Sequence, residues 1–396
     1  MTNKILFKGF TLIDGSGEAP IENAYLLVED KKIVKVGNGE FGLSTEGMEV
    51  VDLRGKFMMP GLINSHVHIT MDPDPDPVGS MIHDSEAKIT LRGVANLKKH
   101  LYSGTTFFRD LGGPKGIDLD LRDAVNSGLI EGAQFLASGK VVTMTGGHGW
   151  FFGREADGVD ETRKAAREEL KAGADVIKIM ATGGVMTKGV QPGSPQLSME
   201  EMRSAVEEAQ KAGKKTASHA QGTVGIKNAI LAGIDSIEHG IFLDDETIQL
   251  MIDKGTYLVP TLVAPYFISS NGVAAGIPKF IVDKSDYVMK FHNDSFTKAY
   301  KAGVKIAMGT DSGTPFNIHG GAPHELKLMV KCGMTPTEAI VASTKGSADL
   351  LDILADYGTL EEGKFADLLV LNENPLENLD TLFDIGSIYK LGRKVK

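Results

Sequence analysis

From residue 61 onward, short apolar runs alternate with amphipathic stretches of helical period. Eight runs read as strands: 62–69, 105–111, 134–142, 175–180, 215–220, 236–239, 257–263 and 305–310. Between several of them, 86–101, 161–172, 199–212 and 284–301 carry good helix formers at helical spacing. Gly104, Gly173, Gly213, Gly233 and Gly303 stand just before a strand, where a left-handed residue ends a helix. Repeated β–α units imply a parallel sheet, and eight of them predict a closed (β/α)8 barrel. An open doubly wound sheet is the alternative, but no GxGxxG follows the first strand. The two ends of the chain are patterned differently. Strand-like runs at 4–10, 24–29, 32–36 and 49–52 are separated by Gly, Asp and Asn turns, and the style returns at 365–371 and 387–391. The pattern therefore predicts a small composite β-sandwich from residues 1–58 and 358–396, attached to a barrel of residues 59–357.

Composition narrows the function. With 396 residues, 42% hydrophobic and 24% charged, the chain is ordinary globular material. Its net charge of −10 argues against nucleic acid or an anionic membrane as partner, since both need a basic footprint. A lone cysteine, Cys332, rules out an internal disulfide framework and a multi-cysteine zinc site. The expected setting is the reducing, cytoplasmic compartment. Lys8 interrupts any signal-like apolar core, and no run reaches the roughly 18 apolar residues of a membrane span. The expected partner is a small-molecule substrate, and a homo-oligomer stays open.

Candidate chemistry gathers where the strands finish. The first run contains His66 and His68, which share one strand face and make a ready metal chelate. The fifth ends at His219, the sixth at His239, the eighth just before Asp311. Barrel active sites occupy this carboxyl rim, and imidazole with carboxylate suits zinc or a similar divalent ion. The fourth run adds Lys178 between Ile177 and Ile179. It points either into the barrel or onto the helix-packed side. A desolvated lysine has a lowered pKa, and its neutral amine can take up carbon dioxide as a carbamate. Singly, each residue has a plainer explanation, such as a helix cap for Asp311 or a core ion pair for Lys178. Jointly, they point to a metal site.

This ordered set resembles the amidohydrolase superfamily. The segment Met59-Pro60-Gly61-Leu62-Ile63-Asn64-Ser65-His66-Val67-His68 is similar to its entry to strand one. Thr145-Gly146-Gly147-His148-Gly149, Ala181-Thr182-Gly183-Gly184-Val185-Met186 and Glu361-Glu362-Gly363-Lys364-Phe365-Ala366-Asp367 resemble the prolidase-like dipeptidase branch. The resemblance implies two divalent metal ions, usually zinc. His66, His68 and Asp311 would hold the more buried ion, His219 and His239 the more exposed one. Carboxylated Lys178 would bridge them together with a hydroxide. It further implies Asp311 as proton shuttle and His148 as donor to the developing oxyanion. Tyr266 is an implied substrate contact. The backbone N–H groups of Gly183 and Gly184 could take a substrate carboxylate or simply form a tight strand-to-helix turn, and Arg109 and Arg154 could meet the same carboxylate or serve structural pairs. His319 and His324 are candidates for the wall, as are Trp150, Phe151 and Phe152, which could equally be core. His83, His100 and His292 are expected on helix surfaces. The implied reaction is amide cleavage in dipeptides or N-acyl amino acids. Cyclic amides or imides, lactones and phosphotriesters are alternatives within the same chemistry, and a non-catalytic metal-binding scaffold is the alternative outside it.

Overall fold

The computed structural model describes residues 4–396. Both ends of the chain enter one eight-stranded sheet. Its order is Arg393–Lys394, Ser387–Lys390, Leu368–Leu371, Phe57–Pro60, Lys4–Leu12, Ile21–Glu29 and Lys32–Asn38, with Glu49–Asp52 also paired to Lys4–Leu12. The pairing joins all eight into a single sheet, where two facing sheets were expected. Alternation explains its core: Phe7, Leu26, Met58 and Leu368 turn the same way and pack together.

The middle of the chain builds two parallel sheets. One has three strands, Leu62–Val67, Thr105–Asp110 and Gln134–Ala137. The other has six: Gly153–Glu155, Val141–Thr143, Val176–Met180, Lys215–Ala220, Ser236–His239 and Tyr257–Val259. These ladders do not close into a regular eight-stranded barrel, and two breaks account for it. The run 134–142 splits at Ser138–Lys140. There Gly139 adopts a left-handed φ of 67° and its N–H turns to the Asp118 carboxylate at 2.7 Å. The run 305–310 pairs only by isolated bonds. Leu258 N–H donates to Lys305 O at 2.9 Å on one side, and Ser65 N–H donates to Met308 O at 2.8 Å on the other. Gly309 lies so close to the first strand that a Cβ there would come within 3.1 Å of His66 N. Regular pairing gives way where the chain prepares Asp311.

The helices fall near their expected positions: Glu86–Tyr102, Val159–Ala172, Met199–Lys211 and Lys279–Ala302. Gly173, Gly233 and Gly303 end three helices in the left-handed region. On the fourth middle strand Ile177 and Ile179 join the core under the helices, while Val176 joins a small inner cluster with Leu111 and Ala217. Lys178, between the two isoleucines, therefore faces inward. Among the described residues no helix is long and apolar enough to cross a membrane.

Candidate active site

The carboxyl ends of the parallel strands surround a cavity. His66, His68, Lys178, His219, His239, Asp311 and His148 all line it. The sequence-nominated ligands thus converge from distant parts of the chain.

Two of them depend on a break in strand alternation. Ser236 and Glu238 share a face, and Ser236 Oγ donates to Glu238 Oε1 at 2.6 Å. Alternation alone would send His239 the other way. His239 instead has a φ of 74°, and its ring returns to 5.3 Å from His66 and 4.6 Å from His219. Asp311 (φ 58°) and Thr261 (φ 52°) adopt the same unfavourable region. Each such residue costs about 1–3 kcal/mol and is characteristic of functional sites. Glu325 fixes the backbone beyond Thr261 by accepting from Leu262 N–H at 2.9 Å and Val263 N–H at 2.8 Å, and burial pushes its carboxyl up to about 8.

His66, His68 and Asp311 bring one ligand atom each within 4.8 Å of one another. His66 Nδ1 lies 2.8 Å from Glu238 Oε2, and His68 Nδ1 lies 3.0 Å from the carbonyl of Gly112. A carbonyl only accepts, so His68 carries its proton on Nδ1. Glu238 imposes the same tautomer on His66 when it is ionised. Both Nε2 atoms then aim a lone pair at Asp311 Oδ1, from 3.4 and 3.3 Å. Three electron-rich atoms facing one another need positive charge between them. Burial opposes charge on His68, but the Asp311 carboxylate outweighs it and raises the imidazole. Burial likewise pushes Asp311 up, and His66 and His68 together hold it below the usual carboxylate range. This donor set fits a divalent cation.

The other nominated histidines have neutral supports. His239 Nδ1 bonds Thr261 Oγ1 at 2.7 Å, and His219 Nε2 approaches Gly183 O at 3.4 Å. Burial holds both imidazoles well below their ordinary basicity, with neighbouring histidines adding to it. Lys178 is 1% exposed, and burial pulls its amine down to about 8 against the opposing pull of Glu238 and Asp311. His148 hydrogen-bonds Thr187 Oγ1 at 2.9 Å, and its ring lies 4.2 Å from that of His219. Burial, with Lys178 and then Lys284 nearby, brings it down to about 3, so it is neutral at physiological pH.

The other nominated residues have varied surroundings. Arg109 is 1% exposed and engaged: Nη2 meets Glu238 Oε1 at 2.9 Å and Nε donates to Ser65 O at 2.7 Å. Arg154 pairs with Glu168 at 2.9 Å and Glu161 at 3.4 Å. Tyr266 is 40% exposed and faces a separate groove with Leu328 and Lys331. Pro265 takes the cavity wall, and one helical step turns Tyr266 away. Gly183 spends its N–H on Ser194 O at 2.9 Å. Gly184 backs onto the site so closely that a Cβ would lie 2.5 Å from His148 Nε2. His319 is outside the cavity, bonded to His100 at 3.1 Å and to Met71 O at 2.9 Å. His324 lies outside as well, against Phe267 and Phe383. His83 is exposed as expected, but His100 and His292 are buried, because their helices turn those faces onto neighbouring elements. His292 Nε2 bonds the His239 carbonyl at 3.0 Å and lines the cavity. Trp150 is 45% exposed, whereas Phe151 and Phe152 join Met71, Met180 and Ile268 in an apolar wall. Sequence reasoning missed Glu238, Thr187, Thr261, Gln221 and Lys284. Only Glu238 carried a signal, as an acid inside the strand-like run that ends at His239.

A buried, polarised cluster of histidines with one carboxylate and one lysine, at the rim of parallel strands, defines a hydrolase centre. Residues 57–394 match the amidohydrolase family, to which the chain belongs, and it acts on carbon–nitrogen bonds. It is 34% identical to ochratoxinase of Aspergillus niger over 95% of this chain and 82% of that protein. The crystal structure of a Xaa-Pro dipeptidase with methionine in its active site superposes over the whole of both chains, with TM-score 0.92 and 33% identity. A prolidase complexed with N-methylphosphonate-L-proline matches with TM-score 0.92 and 29% identity, again over both whole chains. The A. niger ochratoxinase structure gives 0.87 and 32%, covering 100% of this chain and 96% of that one.

Proposed function

We propose that the protein hydrolyses the amide bond of dipeptides or N-acyl amino acids with the aid of two divalent ions, zinc being the best match to the donors. His66, His68 and Asp311 would hold one ion, His219 and His239 the other, and Lys178, as its carbamate, both. When bound, such ions supply hydroxide at neutral pH and polarise a carbonyl. The remaining work falls to side chains. Asp311, held between His66 and His68 through Oδ1, takes the proton of the attacking water and passes it to the leaving nitrogen. Neutral His148 has its Nδ1 tied to Thr187 Oγ1, which leaves Nε2 toward the cavity to donate to the carbonyl oxygen as charge develops. Gly184, lacking a side chain, lets the substrate backbone approach His148 and His219. The apolar wall of Met71, Phe152, Met180 and Ile268 favours an apolar side chain on the substrate.

The observation that carries this reading is the convergence of His66, His68 and Asp311 on one point beside inward-facing Lys178. The ligands of the two relatives, methionine and a phosphonate of proline, also favour amino-acid substrates. On the same reading, the two parallel sheets with 305–310 form one distorted eightfold barrel, and 1–58 with 358–396 a single appended domain. A product-resolved hydrolysis screen tests the proposal, using zinc-loaded protein in bicarbonate with Xaa-Pro, Xaa-Arg and Xaa-hydrophobic dipeptides and N-acyl amino acids. Release of a free amino acid, greatest for apolar residues, is expected. Silence across the panel with both metals bound would move the reading to cyclic amides or imides.

A further inference from the structure

An N-acyl amino acid or dipeptide carries a carboxylate three bonds from the scissile carbonyl carbon. Its receiver must therefore stand close to the group that meets the carbonyl oxygen. The receivers suggested by the sequence are largely taken. Arg109 is buried against Glu238, Arg154 is paired with Glu168 and Glu161, and the Gly183 N–H is bonded to Ser194.

Among the described residues, one cation stands close to that histidine without an ion pair. Lys284, on the helix Lys279–Ala302, is half-buried and one turn from Val288, which lines the cavity. Its Nζ donates to Thr187 O at 2.7 Å, and Thr187 Oγ1 lies 2.9 Å from His148 Nδ1. The ammonium thus sits two contacts from the expected carbonyl-binding histidine, beside the loop whose Val185 and Met186 also line the cavity. It has three donors and spends one on Thr187. Burial lowers its basicity, its Nζ lies 5.5 Å from the centroid of the Phe280 ring, and among the described residues no carboxylate forms an ion pair with it. Two of its donors are left over beside the loop that lines the cavity, where an anionic group of a bound substrate would find them.

We propose that Lys284 receives the α-carboxylate of the amino-acid portion of the substrate, making the enzyme selective for acids over the corresponding carboxamides. This inference rests on the amide-hydrolase reading above for its reaction, but not for its binding contact. No covalent step is involved. The ammonium donates one or two charge-assisted hydrogen bonds while keeping its bond to Thr187 O.

The test compares wild type, Lys284→Met and Lys284→Arg, all zinc-loaded. Hydrolysis of N-acetyl-L-leucine and N-acetyl-L-leucinamide gives the ratio of kcat/KM values. Calorimetric titration with L-leucine and L-leucinamide gives the same comparison without turnover. Wild type should prefer the acid by roughly 10- to 100-fold, the range for a hydrogen bond to a charged group. Lys284→Met should erase the preference mainly through KM, and Lys284→Arg should retain much of it. If Lys284 only staples its helix to the Thr187 loop, acid and amide will weaken together and the ratio will not move, which would overturn the proposal. A Lys284-dependent preference for L-leucine without any hydrolysis would keep the contact and reject the reaction. Hydrolysis with an unchanged ratio would do the reverse.

Discussion

The two sides of the site are supported in different ways. On the His66 side, a buried charge chain runs from Arg109 through Glu238 to the imidazole, at 2.9 and 2.8 Å. Ser236 and the Ser65 carbonyl satisfy its remaining groups. On the His219 and His239 side, the partners are Thr261, Thr187 and the Gly183 carbonyl, all neutral. An anionic partner raises the basicity of an imidazole ligand and locks its tautomer, whereas a hydroxyl orients without adding charge. On the proposed reading the first side would hold its ion the more tenaciously. The second suits a place where substrate and product must come and go. The expense is also unequal, because a buried ion pair is safe only while both members are present.

On the proposed reading Asp311 should give the largest effect, because it would serve both the ion on the His66 side and the proton transfer. Asp311→Asn should lower kcat by roughly 100- to 10,000-fold, the usual worth of a general acid–base group. Metal analysis should still find most of the metal, since the carboxamide oxygen keeps a donor in position. An unchanged kcat would remove Asp311 from proton transfer. Next in size is Arg109→Met, which strands Glu238 without its counter-ion. It should cost about 3–5 kcal/mol in denaturant unfolding of the metal-free protein. Adding Glu238→Gln to it should recover most of that loss, and an additive double variant would deny the coupling. The smallest contrast sets Glu238→Gln against Thr261→Val. The first should weaken metal binding roughly 10- to 100-fold in chelator competition. The second should weaken it by about 1 kcal/mol, the worth of one neutral hydrogen bond. Equal losses would abolish the distinction between the two sides.

How much could be read from the chain follows from which physical rule governs each residue. His66 and His68 obey strand alternation, and Lys178 stands out as a charge between buried isoleucines, so a local pattern was enough to single them out. Alternation left the facing of Lys178 open, and the packing of Ile177 and Ile179 decided it. His239 and Asp311 reach the cavity through positive φ, which no period encodes. Their positions at strand ends were legible, but the way they turn was not. The roles of Arg109 and Glu238 were hidden because the two are 129 residues apart and meet only when separate strands assemble. His100 and His292 look like surface positions on amphipathic helices, and only the neighbours of those helices bury them. The breaks at Ser138–Lys140 and 305–310 were equally invisible. Both lie at glycines packed against distant parts of the chain, Gly139 against Glu169 and Gly309 against His66 and Val259.

Gly61 is the sole residue between Phe57–Pro60, in the terminal sheet, and Leu62–Val67, which carries His66. Its N–H donates to Asp367 O at 2.9 Å, and a Cβ on it would strike the Thr106 hydroxyl. The seam between the two architectures thus runs through paired backbone rather than a linker. A chimaera that borrows the terminal strands of a relative would have to inherit the partners of Pro60 and Gly61 as well. For recombination between homologues, natural or designed, the unit of exchange is the whole chain around this joint.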